Sequence, residues 1–349
     1  MDYTITKLTK NDYEEWDNFV KTHKGGTIFH TLGWKKVLEE SYGYEPRYYV
    51  IKNANGEITG IFPTFKVKTF FGKIIVSQPF AEYGGALVRE GYEKAVIDIL
   101  NIFKKEVKNG VKYIEIRKPP FGMRISNTIG YKKEMKAYNF YLNLENKDFK
   151  KDIWNGVIHK KVRTAIRKAI KSGVIIEKKM DMDLYYDLYI KTMARMGSPP
   201  HSKKFLKNIE RYLKDYVVCN FAYLDGIPIA ALLSFRYKDI VSIFGNVSDS
   251  KYWNYNANDL LYCSEIKEVL KLGYKFVEFG RTNPNSQYVK FKKRHGGENQ
   301  VELYSYIYPQ SKAGDINPYR FMTISNILQN VPWLITKTGF GVWIKKMFP

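Results

Sequence analysis

The stretch GYKFVEFGR at residues 273–281 closely resembles the stretch GVKYIEIR at residues 110–117. Each ends an amphipathic segment with a glycine and then begins a short strand that ends in arginine. A hairpin signal precedes each stretch, Asn55-Gly56 in the first case and Asp225-Gly226 in the second, at nearly the same separation. The sequence therefore predicts an internal duplication, with two similar α/β units in tandem. Chance agreement is the alternative, because Gly-x-Lys-aromatic often leads from a helix into a strand.

Hairpins and helices alternate around both copies. Around the first copy, the residue patterns predict helices at 11–23, 31–41 and 92–108, and strands at 47–52, 58–68, 74–78 and 111–117. Around the second copy they predict helices at 148–172, 181–195, 202–214 and 259–272, and strands at 217–224, 228–237 and 240–247. Each unit joins hairpins to a crossover helix, which favours mixed sheets over wholly parallel ones.

The length and the charge of the chain limit the classes of protein to which it can belong. With 349 residues and 44% hydrophobic content, the chain can build two cores. We expect domains at 1–150 and 151–310, followed by an amphipathic tail at 311–349. The formal net charge of +22 predicts a surface field that attracts polyanions. Nucleic acid, a phosphorylated substrate and an anionic membrane all stay open at this point.

The cysteine content and the apolar runs indicate the compartment. Cys219 and Cys263 are the two cysteines of the sequence, and neither has the paired spacing of a metal site. Residues 1–7 carry acidic and polar side chains where a secretory signal has an apolar core. The longest apolar stretch, near 227–235, is about half of a bilayer-spanning helix. We therefore expect a cytoplasmic protein, with any membrane contact peripheral at the inner membrane face.

The most basic helix is predicted within 148–172. An apolar stripe runs along it at helical spacing, and Lys160, Arg163, Arg167 and Lys171 follow one neighbouring flank. A solvated helix face is one interpretation of this run. The other is a row of phosphate contacts, because cations along one flank can follow the backbone of a nucleic acid or a polyphosphate.

Two further basic segments stand near the C-terminus. Residues 290–297, KFKKRHGG, combine four cations with a glycine pair, a composition suited to holding an anion in a loop. Residues 317–349 mix lysines with tryptophan, phenylalanine and aliphatic residues, and Pro332, Gly339 and Gly341 prevent one long helix. This tail can pack against the body of the protein or rest in a lipid interface.

Several motifs of covalent and metal-assisted catalysis are missing from the sequence. There is no phosphate-binding Gly-x-x-x-x-Gly-Lys-Ser/Thr loop, no Gly-x-Ser-x-Gly elbow and no His-x-x-x-His pair. The five histidines are scattered, and no metal or bound cofactor is expected. A duplicated α/β unit on a basic chain then favours a transferase that works by positioning and electrostatics, in which an amine attacks an activated carbonyl directly.

An ordered set of short motifs over about residues 25–310 resembles FemAB-family proteins, and most closely the branch associated with exosortase and exopolysaccharide systems. The motifs are FHTLGW at 29–34, PFAEYGG at 79–85, the basic helix from KKVR at 160–163 to Lys168-Ala169, FGR at 279–281 and FKKRHGG at 291–297.

The resemblance implies tandem acetyltransferase-like (GNAT) domains and an aminoacyl or peptidyl transferase. Well-known members move an amino acid from aminoacyl-tRNA to the amine of a lipid- or nucleotide-linked cell-wall precursor. Two features of the family are missing here: the heptad pattern of a coiled-coil arm, and the acyl-CoA loop Gln/Arg-x-x-Gly-x-Gly/Ala, which residues 256–261, NANDLL, replace. Aminoacyl-tRNA and acyl-CoA therefore both stay open as the acyl donor.

We predict the following roles from the pattern and the resemblance together. Glu278 orients or accepts a proton, although its twin Glu115 could equally be structural. Arg281 stabilises developing negative charge or binds a substrate carboxylate. Substrate-binding residues are Lys35, Lys36, Tyr83, Arg163, Arg167, Asn246, Asn258, Lys290, Lys292 and Arg294.

The acceptor is expected to be an amine on an anionic envelope precursor. The alternatives are an acyl-CoA-dependent acetyltransferase and a non-catalytic binder of anionic polymer or membrane. The sequence does not indicate an oligomeric state.

Overall fold

The computed structural model describes residues 1–70, 72–118, 130–312, 330–331 and 339–347. The chain divides into two compact units, as far as these residues extend: unit 1 is Met1–Lys136 with Leu303–Arg320 and Trp343–Pro349, and unit 2 is Ala137–Glu302 with Phe321–Val342. The predicted domain boundaries at residues 150 and 310 describe which segments fold independently, and they stay a prediction.

In its described part before β9, unit 1 contains short strands and three α-helices. The strands are β1 (Tyr3–Lys7), β2 (Glu45–Pro46), β3 (Tyr49–Asn53), β4 (Ile58–Phe62), β5 (Phe65–Thr69), β6 (Gly72–Val76), β7 (Leu87–Val88) and β8 (Val111–Arg117). The helices are α1 (Tyr13–Thr22), α2 (Leu32–Tyr42) and α3 (Glu93–Lys108). Strand β9 (Lys132–Asn143) carries the chain into unit 2.

Unit 2 has longer elements. A π-helix at Phe149–Val157 precedes α4 (Lys160–Lys171), and the other helices are α5 (Met182–Met196), α6 (Lys203–Tyr212), α7 (Ala257–Lys271) and α8 (Tyr288–Arg294). The strands are β10 (Ile175–Lys178), β11 (Val217–Leu224), β12 (Ile227–Tyr237), β13 (Ile240–Ser248), β14 (Phe276–Thr282) and β15 (Asn299–Tyr308). Strand β15 leads back into unit 1, and α9 (Phe340–Met347) lies near the C-terminus.

The sheets are mixed, as the sequence predicts. In unit 1 the strand orders are β1-β3-β4-β7 and β15-β8-β6-β5-β2, and in unit 2 the order is β10-β11-β12-β13-β14-β9. The pairs β6–β8 and β13–β14 are parallel, and the other pairs described within each unit are antiparallel. Helix α3 connects β6 towards β8, and α7 connects β13 to β14, so each parallel pair has its crossover helix.

The two hairpin turns lie at corresponding places. Asn55-Gly56 joins β3 to β4, and Asp225-Gly226 joins β11 to β12. Gly56 and Gly226 have φ angles of 83° and 76°, in the left-handed region where a glycine has no steric penalty. The turn signals in the sequence are therefore confirmed.

Three predicted elements differ from the structure. The single strand at 58–68 is two strands, β4 and β5, because Pro63 cannot donate a ladder hydrogen bond. The single helix at 148–172 is a π-helix and then α4, separated at Ile158 and His159. The prediction of an anion-binding loop at 290–297 is wrong. Residues up to Arg294 belong to α8, and the two glycines that follow are buried.

Each unit has a core of its own. In unit 1, the apolar face of α3 packs against strands β3, β4, β6 and β8 through buried residues that include Ile99, Phe103 and Ile114. In unit 2, α4 and α7 pack on the sheet through residues such as Ile166, Leu261 and Val277. Cys219 and Cys263 are free and buried. Among the described residues, no helix has both the length and the apolar character needed to cross a bilayer.

The predicted tail falls largely outside the described residues, including Trp333 and Leu334. Of the part that is described, α9 buries Ile344, which is 5% exposed. The hydroxyl of Tyr44 donates to the carbonyl oxygen of Lys346 at 2.7 Å. The ammonium of Lys345 lies 5.1 Å from the centroid of the Phe80 ring. This part of the tail therefore packs against residues of unit 1.

Candidate active site

The parallel strands of unit 2 separate soon after they meet. Their pairing consists of Ile240 with Phe276, Val241 with Val277 and Ser242 with Glu278, whereas β13 continues to Ser248 and β14 to Thr282. Two polar residues predicted from the sequence, Asn246 and Arg281, lie on the portions beyond this pairing. The separation of the strands leaves room for a ligand between secondary-structure elements of one unit.

A β-bulge turns β13 where the strands separate. Leu233 on β12 pairs with Gly245 and Ser234 pairs with Ile243, so Phe244 is an extra residue in β13. Because side chains alternate along a strand, the bulge brings Asn246 to the same face as Ile243 and Ser248. That face packs against α7, whose residue Asn258 donates to the Ser248 hydroxyl at 3.2 Å. Without the bulge, Asn246 would face the opposite side of the sheet.

A pocket that is open to solvent lies where β13 ends and α7 begins. The lining residues are Ile229, Ser248, Asp249, Tyr252, Trp253, Asn256, Ala257, Asn258, Asp259 and Phe291. The Nδ2 atom of Asn246 and the Oδ1 atom of Asn258 are buried and have no hydrogen-bond partner among the described residues. One donor and one acceptor are thus held out of water. The acceptor belongs to Asn258, which lines the pocket, and the donor to Asn246, two residues before Ser248, which also lines it.

Two carboxylates line the same pocket. Asp249 is 2.9 Å from the ammonium of Lys191. Burial raises the pKa of the Asp249 carboxyl, but hydrogen bonds from Lys191 and from the backbone of Lys251 outweigh it and hold that pKa below its ordinary value. Asp259 Oδ1 is 2.8 Å from Nε2 of His295. The pocket therefore presents negative charge, although the chain as a whole is strongly basic.

The ring of His295 connects the start of α7 to the end of α8. Its Nδ1 lies 2.8 Å from the carbonyl oxygen of Phe291, and its Nε2 faces Asp259. The ring lies 4.1 Å from the Phe291 ring and 5.2 Å from the Tyr262 ring, centroid to centroid. His295 is 2% exposed, so it positions Asp259 and Phe291 from behind the pocket wall.

The bulged part of β13 tolerates no side chain at Gly245. A Cβ at this position would overlap the hydroxyl of Tyr185, which belongs to α5 and is 1% exposed. Burial raises the pKa of Tyr185 well above its ordinary value, so its hydroxyl stays protonated. The close approach of this hydroxyl to the backbone requires a glycine.

The predicted residues Glu278 and Arg281 stand on either side of a second bulge. Glu278 pairs with Tyr141 on β9 and Arg281 with Asn139, and Gly280 between them has a φ of 74°. The Ser242 hydroxyl donates to Glu278 Oε2 at 2.9 Å, at the last pair before the strands separate. Arg281 is exposed. The left-handed glycine thus lets β14 turn so that its arginine points into solvent.

Lys292 fixes this bulge from α8. Its ammonium donates to the carbonyl oxygen of Gly280 and to the Thr282 hydroxyl, both at 2.7 Å. Lys292 is 8% exposed. Lys292 is a predicted substrate-binding residue, and in the structure its ammonium holds the backbone at Gly280 and Arg281 in place.

The remaining predicted residues of unit 2 are distributed over two helices. Arg163 donates to the carbonyl oxygens of Trp154, Asn155 and Ile158, which closes the end of the π-helix. Arg167 on α4 is exposed and lies 5.5 Å from the Trp154 ring. Lys290 and Arg294 are exposed on α8.

Three predicted residues belong to unit 1. Lys35 is 8% exposed, forms an ion pair with Glu39 at 2.7 Å and lies within 6 Å of the Tyr13 and Tyr48 rings. Lys36 beside it is exposed. Tyr83 is 4% exposed in the loop that follows β6. Their substrate-binding roles stay a prediction.

Sequence reasoning did not identify Tyr185, Asp249 and Asp259 as site residues. Asp259 lies in the segment 256–261 and His295 in the segment 290–297, both of which the sequence marks as unusual. Their pairing was not predicted, because it joins two helices that are far apart along the chain. No local signal indicated that Tyr185 approaches Gly245. Among the described residues, no group of three or more His, Cys, Asp or Glu could hold a metal ion.

Comparisons with known proteins identify the fold. Residues 158–293 match the family model of the acetyltransferase (GNAT) domain. The crystal structure of FemX superposes with a TM-score of 0.67 at 15% identity and covers 92% of this chain and 100% of its own. No curated protein sequence matches the chain significantly.

Two further solved structures share the architecture. The C-terminal domain of a putative lysylphosphatidylglycerol synthetase from Agrobacterium fabrum has a TM-score of 0.57 at 11% identity, and covers 94% of this chain and 97% of its own. A tandem GNAT protein from the clavulanic acid biosynthesis pathway has a TM-score of 0.53 at 11% identity. The match covers 87% of this chain and 98% of that protein's chain. The chain therefore has a tandem GNAT-like fold, as the sequence predicts, and the matched GNAT model falls on unit 2.

Proposed function

We propose that the protein is an N-acyltransferase that moves an aminoacyl group from aminoacyl-tRNA to an amine of an anionic, lipid- or nucleotide-linked cell-envelope precursor. The observation that carries the proposal is the pair of buried atoms, Asn246 Nδ2 and Asn258 Oδ1, left without partners among the described residues beside the unit 2 pocket. An unpaired buried polar group costs about 1–3 kcal/mol. A polar ligand that meets both atoms offsets that cost.

The charge of the pocket supports an aminoacyl group over a simple acyl group. Asp249 and Asp259 line the pocket together with the Oδ1 atom of Asn258. An aminoacyl ester carries a cationic α-amino group, which carboxylates and amide oxygens bind well. An acetyl group carries no such cation for the carboxylates to bind.

The charge of α4 supports a polyanionic donor. Residues 153–176 contain six lysines and arginines and no carboxylate. Helix α4 packs against α7, which begins at the pocket, and no described carboxylate forms an ion pair with the α4 cations. The exposed lysines of α4, such as Lys160, Lys161 and Lys168, are suited to the phosphates of a tRNA acceptor stem.

The transfer itself requires few protein groups. The acceptor amine attacks the ester carbonyl, a C–N bond forms, and the C–O bond to the tRNA ribose breaks. In this proposal the exposed guanidinium of Arg281 stabilises the negative charge that develops on the carbonyl oxygen. Glu278, held by Ser242, accepts the proton that the amine releases, and the ribose oxygen leaves with a proton from solvent.

The acceptor and its location follow from the resemblance and the charge. Lys36 is an exposed cation of unit 1 suited to a precursor phosphate. Within unit 2, the exposed cations Lys290 and Arg294 are separately suited to a phosphate. An envelope precursor carrying a lipid or nucleotide would place the reaction in the cytoplasm, at the inner membrane face. Membership of the exosortase- and exopolysaccharide-associated branch stays a prediction.

Acyl-CoA is the second candidate donor, and one observation favours it. The pocket includes Asn256, Ala257 and Asn258 at the first turn of α7, a helix of 15 residues. The N–H groups at a helix N-terminus have no helical partners and suit a pyrophosphate. Asp249 and Asp259 oppose this assignment, because they repel a phosphate at the same place.

Label transfer from defined donors tests the proposal. Purified protein would be incubated with envelope extract and aminoacyl-tRNA that carries a labelled amino acid, or with labelled acyl-CoA. We expect transfer from aminoacyl-tRNA, and loss of transfer when its α-amino group is acetylated beforehand, because the pocket carboxylates then lose their cation. Transfer from acyl-CoA alone would select the second candidate, and transfer from neither donor would contradict the proposed activity.

A matched pair of variants connects the activity to the pocket. The double variant Asn246→Ala and Asn258→Ala should lower the transfer rate about hundredfold, since each removed group contributes roughly 1.5 kcal/mol to binding or to the transition state. Asn254→Ala is the control, because Asn254 is exposed on the same loop and does not line the pocket. Equal loss of activity in both variants would show that the loop is merely perturbed.

A further inference from the structure

Two exposed aromatic side chains of unit 1 contact each other at the protein surface. Phe70 lies in the turn between β5 and β6 and is 68% exposed, and Trp343 on α9 is 45% exposed. Their ring centroids are 6.4 Å apart in an edge-to-face arrangement. Exposed aromatic side chains gathered in one place mark an interaction surface more often than single ones do.

Helix α9 carries apolar residues on two faces. Ile344 is buried against unit 1, and the bond from the Tyr44 hydroxyl to Lys346 holds the helix down. Trp343 is next to Ile344 in the sequence, lies about 100° away from it around the helix, and is 45% exposed. The Ile344 face is covered by the protein, whereas Trp343 presents its ring to solvent.

Lysines stand in the same hairpin as Phe70 and beside it. Lys68 and Lys73 face each other directly in the β5–β6 ladder, and both are exposed. Like charges placed opposite each other destabilise a hairpin unless an anion lies nearby. The side chain of Lys112 runs along Gly72 next to them. No described carboxylate forms an ion pair with any of these three lysines.

We propose that this surface binds an anionic lipid bilayer. The Phe70–Trp343 surface consists of Phe70 and Trp343 with Lys68, Lys73, Lys112 and Lys346, all of unit 1. Tryptophan and phenylalanine rings enter the interface between headgroups and acyl chains, and lysines meet the anionic headgroups. The proposal does not depend on the transfer chemistry, which it would bring close to a lipid-linked acceptor.

The composition of the surface favours lipid over the other partners that bind lysine and aromatic groups. A second copy of the chain would bring a surface of the same positive sign, and the net charge of +22 opposes that contact. Single-stranded nucleic acid stacks its bases on open ring faces. Here the Phe70 and Trp343 rings meet edge to face, and the residue at the turn is phenylalanine, which has no polar atom.

Vesicle sedimentation with the full chain tests this inference. Vesicles of phosphatidylglycerol and phosphatidylethanolamine would be compared with vesicles of phosphatidylcholine. The protein should partition onto the anionic vesicles at least about tenfold more strongly, given a few lysines at the surface, and rising salt should weaken the binding. The double variant Phe70→Ser and Trp343→Ser should lower the partition coefficient about tenfold or more, because two rings no longer enter the interface.

Variants that change the charge of the surface test the same inference independently. The pair Lys68→Glu and Lys73→Glu should also lower binding about tenfold or more. The matched control is Lys204→Glu with Lys214→Glu, which changes the net charge equally at exposed sites of unit 2. Leu272→Ser, at a position 58% exposed in unit 2, is the control for the aromatic variant. Both controls should bind as the unchanged protein does.

Three results would overturn the inference. The first is equal vesicle binding by the unchanged protein and by both surface variants. The second is a dimer in sedimentation equilibrium that the Phe70→Ser and Trp343→Ser variant dissociates, since the surface would then join two copies. The third is nucleic acid binding that depends on Phe70 and Trp343 in the absence of any vesicle binding.

Discussion

The two copies of the GNAT-like fold end their parallel strand pair differently. In unit 1 the pair β6–β8 ends at Val76 with Glu115, and in unit 2 the pair β13–β14 ends at Ser242 with Glu278. Beyond that point, unit 1 has the buried loop 77–86, whereas unit 2 continues β13 through a bulge to Asn246. The same framework is therefore closed in the first copy and open in the second.

Hydrogen bonds keep the first copy closed. Arg117 is 7% exposed and donates to the carbonyl oxygens of Gln78 and Ala81 at 2.8 and 3.1 Å. Glu115 is equally buried, and the Ser305 hydroxyl donates to it at 2.7 Å. The corresponding residues of unit 2 are Glu278, which is partly exposed, and Arg281, which is exposed. These residues are therefore buried and hold the loop in place in the first copy, and are more exposed in the second.

Arg117→Ala should produce the largest loss of stability. The change leaves Glu115 and the carbonyl oxygens of Gln78 and Ala81 buried without their cation. Removing one partner of such a buried pair costs about 3 kcal/mol of the free energy of unfolding. Urea denaturation measures this, and a loss below about 1 kcal/mol would show that the loop does not depend on Arg117.

Arg281→Ala should give the opposite pattern. Because Arg281 is exposed, the free energy of unfolding should change by less than about 0.5 kcal/mol. The transfer rate should fall about hundredfold, because the charge that develops on the carbonyl oxygen loses its stabilising cation. Urea denaturation and the label-transfer assay on the same preparation measure both quantities. Normal turnover in this variant would refute the proposed role of Arg281.

Gly245→Ala tests the close approach that the bulge of unit 2 creates. The new Cβ would displace the buried Tyr185 hydroxyl, which should cost about 1–3 kcal/mol of stability. Adding Tyr185→Phe removes the obstructing oxygen and should recover part of the loss. Gly156→Ala is the control, because its Cβ would have only an ordinary contact, 3.5 Å from the carbonyl oxygen of Lys151. Equal thermal unfolding midpoints for both alanine variants would contradict this account.

The smallest effect concerns the pH dependence of unit 2. Hydrogen bonds from Arg236 lower the pKa of the Glu268 carboxyl below its ordinary value of 4.5. The ion pair therefore contributes stability above pH 4.5 and loses it as the pH falls through the lower pKa of the folded state. Glu268→Gln should make the free energy of unfolding less dependent on pH in that acidic range. An unchanged pH profile would mean that Glu268 does not titrate in the folded state as we expect.

Local signals in the sequence account for much of the fold. The glycines before β8 and β14, the two Gly-containing turns and the helical periodicities predict the repeated order of elements and the mixed sheets. Pro63 indicates the division between β4 and β5, because proline cannot donate a hydrogen bond to a neighbouring strand. Strands β9 and β15 were not predicted, because their pairing depends on partners far away along the chain.

The candidate site was harder to predict than the fold. Asn246, Asn258, Glu278 and Arg281 were predicted, and the structure brings Asn246 and Asn258 to the same face of the sheet beside the pocket. Lys292 and Arg163 are predicted to bind substrate, and in the structure both donate to backbone carbonyl oxygens. A basic side chain that caps a strand or a helix cannot be distinguished by sequence from one that binds an anion, because the difference is set by tertiary contacts.

Hydrogen exchange with and without donor tests the contrast between the copies most directly. Amide exchange would be compared in segments 77–86 of unit 1 and 244–259 of unit 2, with aminoacyl-tRNA, uncharged tRNA or no addition. The account predicts added protection in 244–259 that requires the aminoacyl group, and no change in 77–86. Protection confined to 77–86, or no protection of 244–259 at saturating aminoacyl-tRNA, would contradict the claim that the second copy holds the open site.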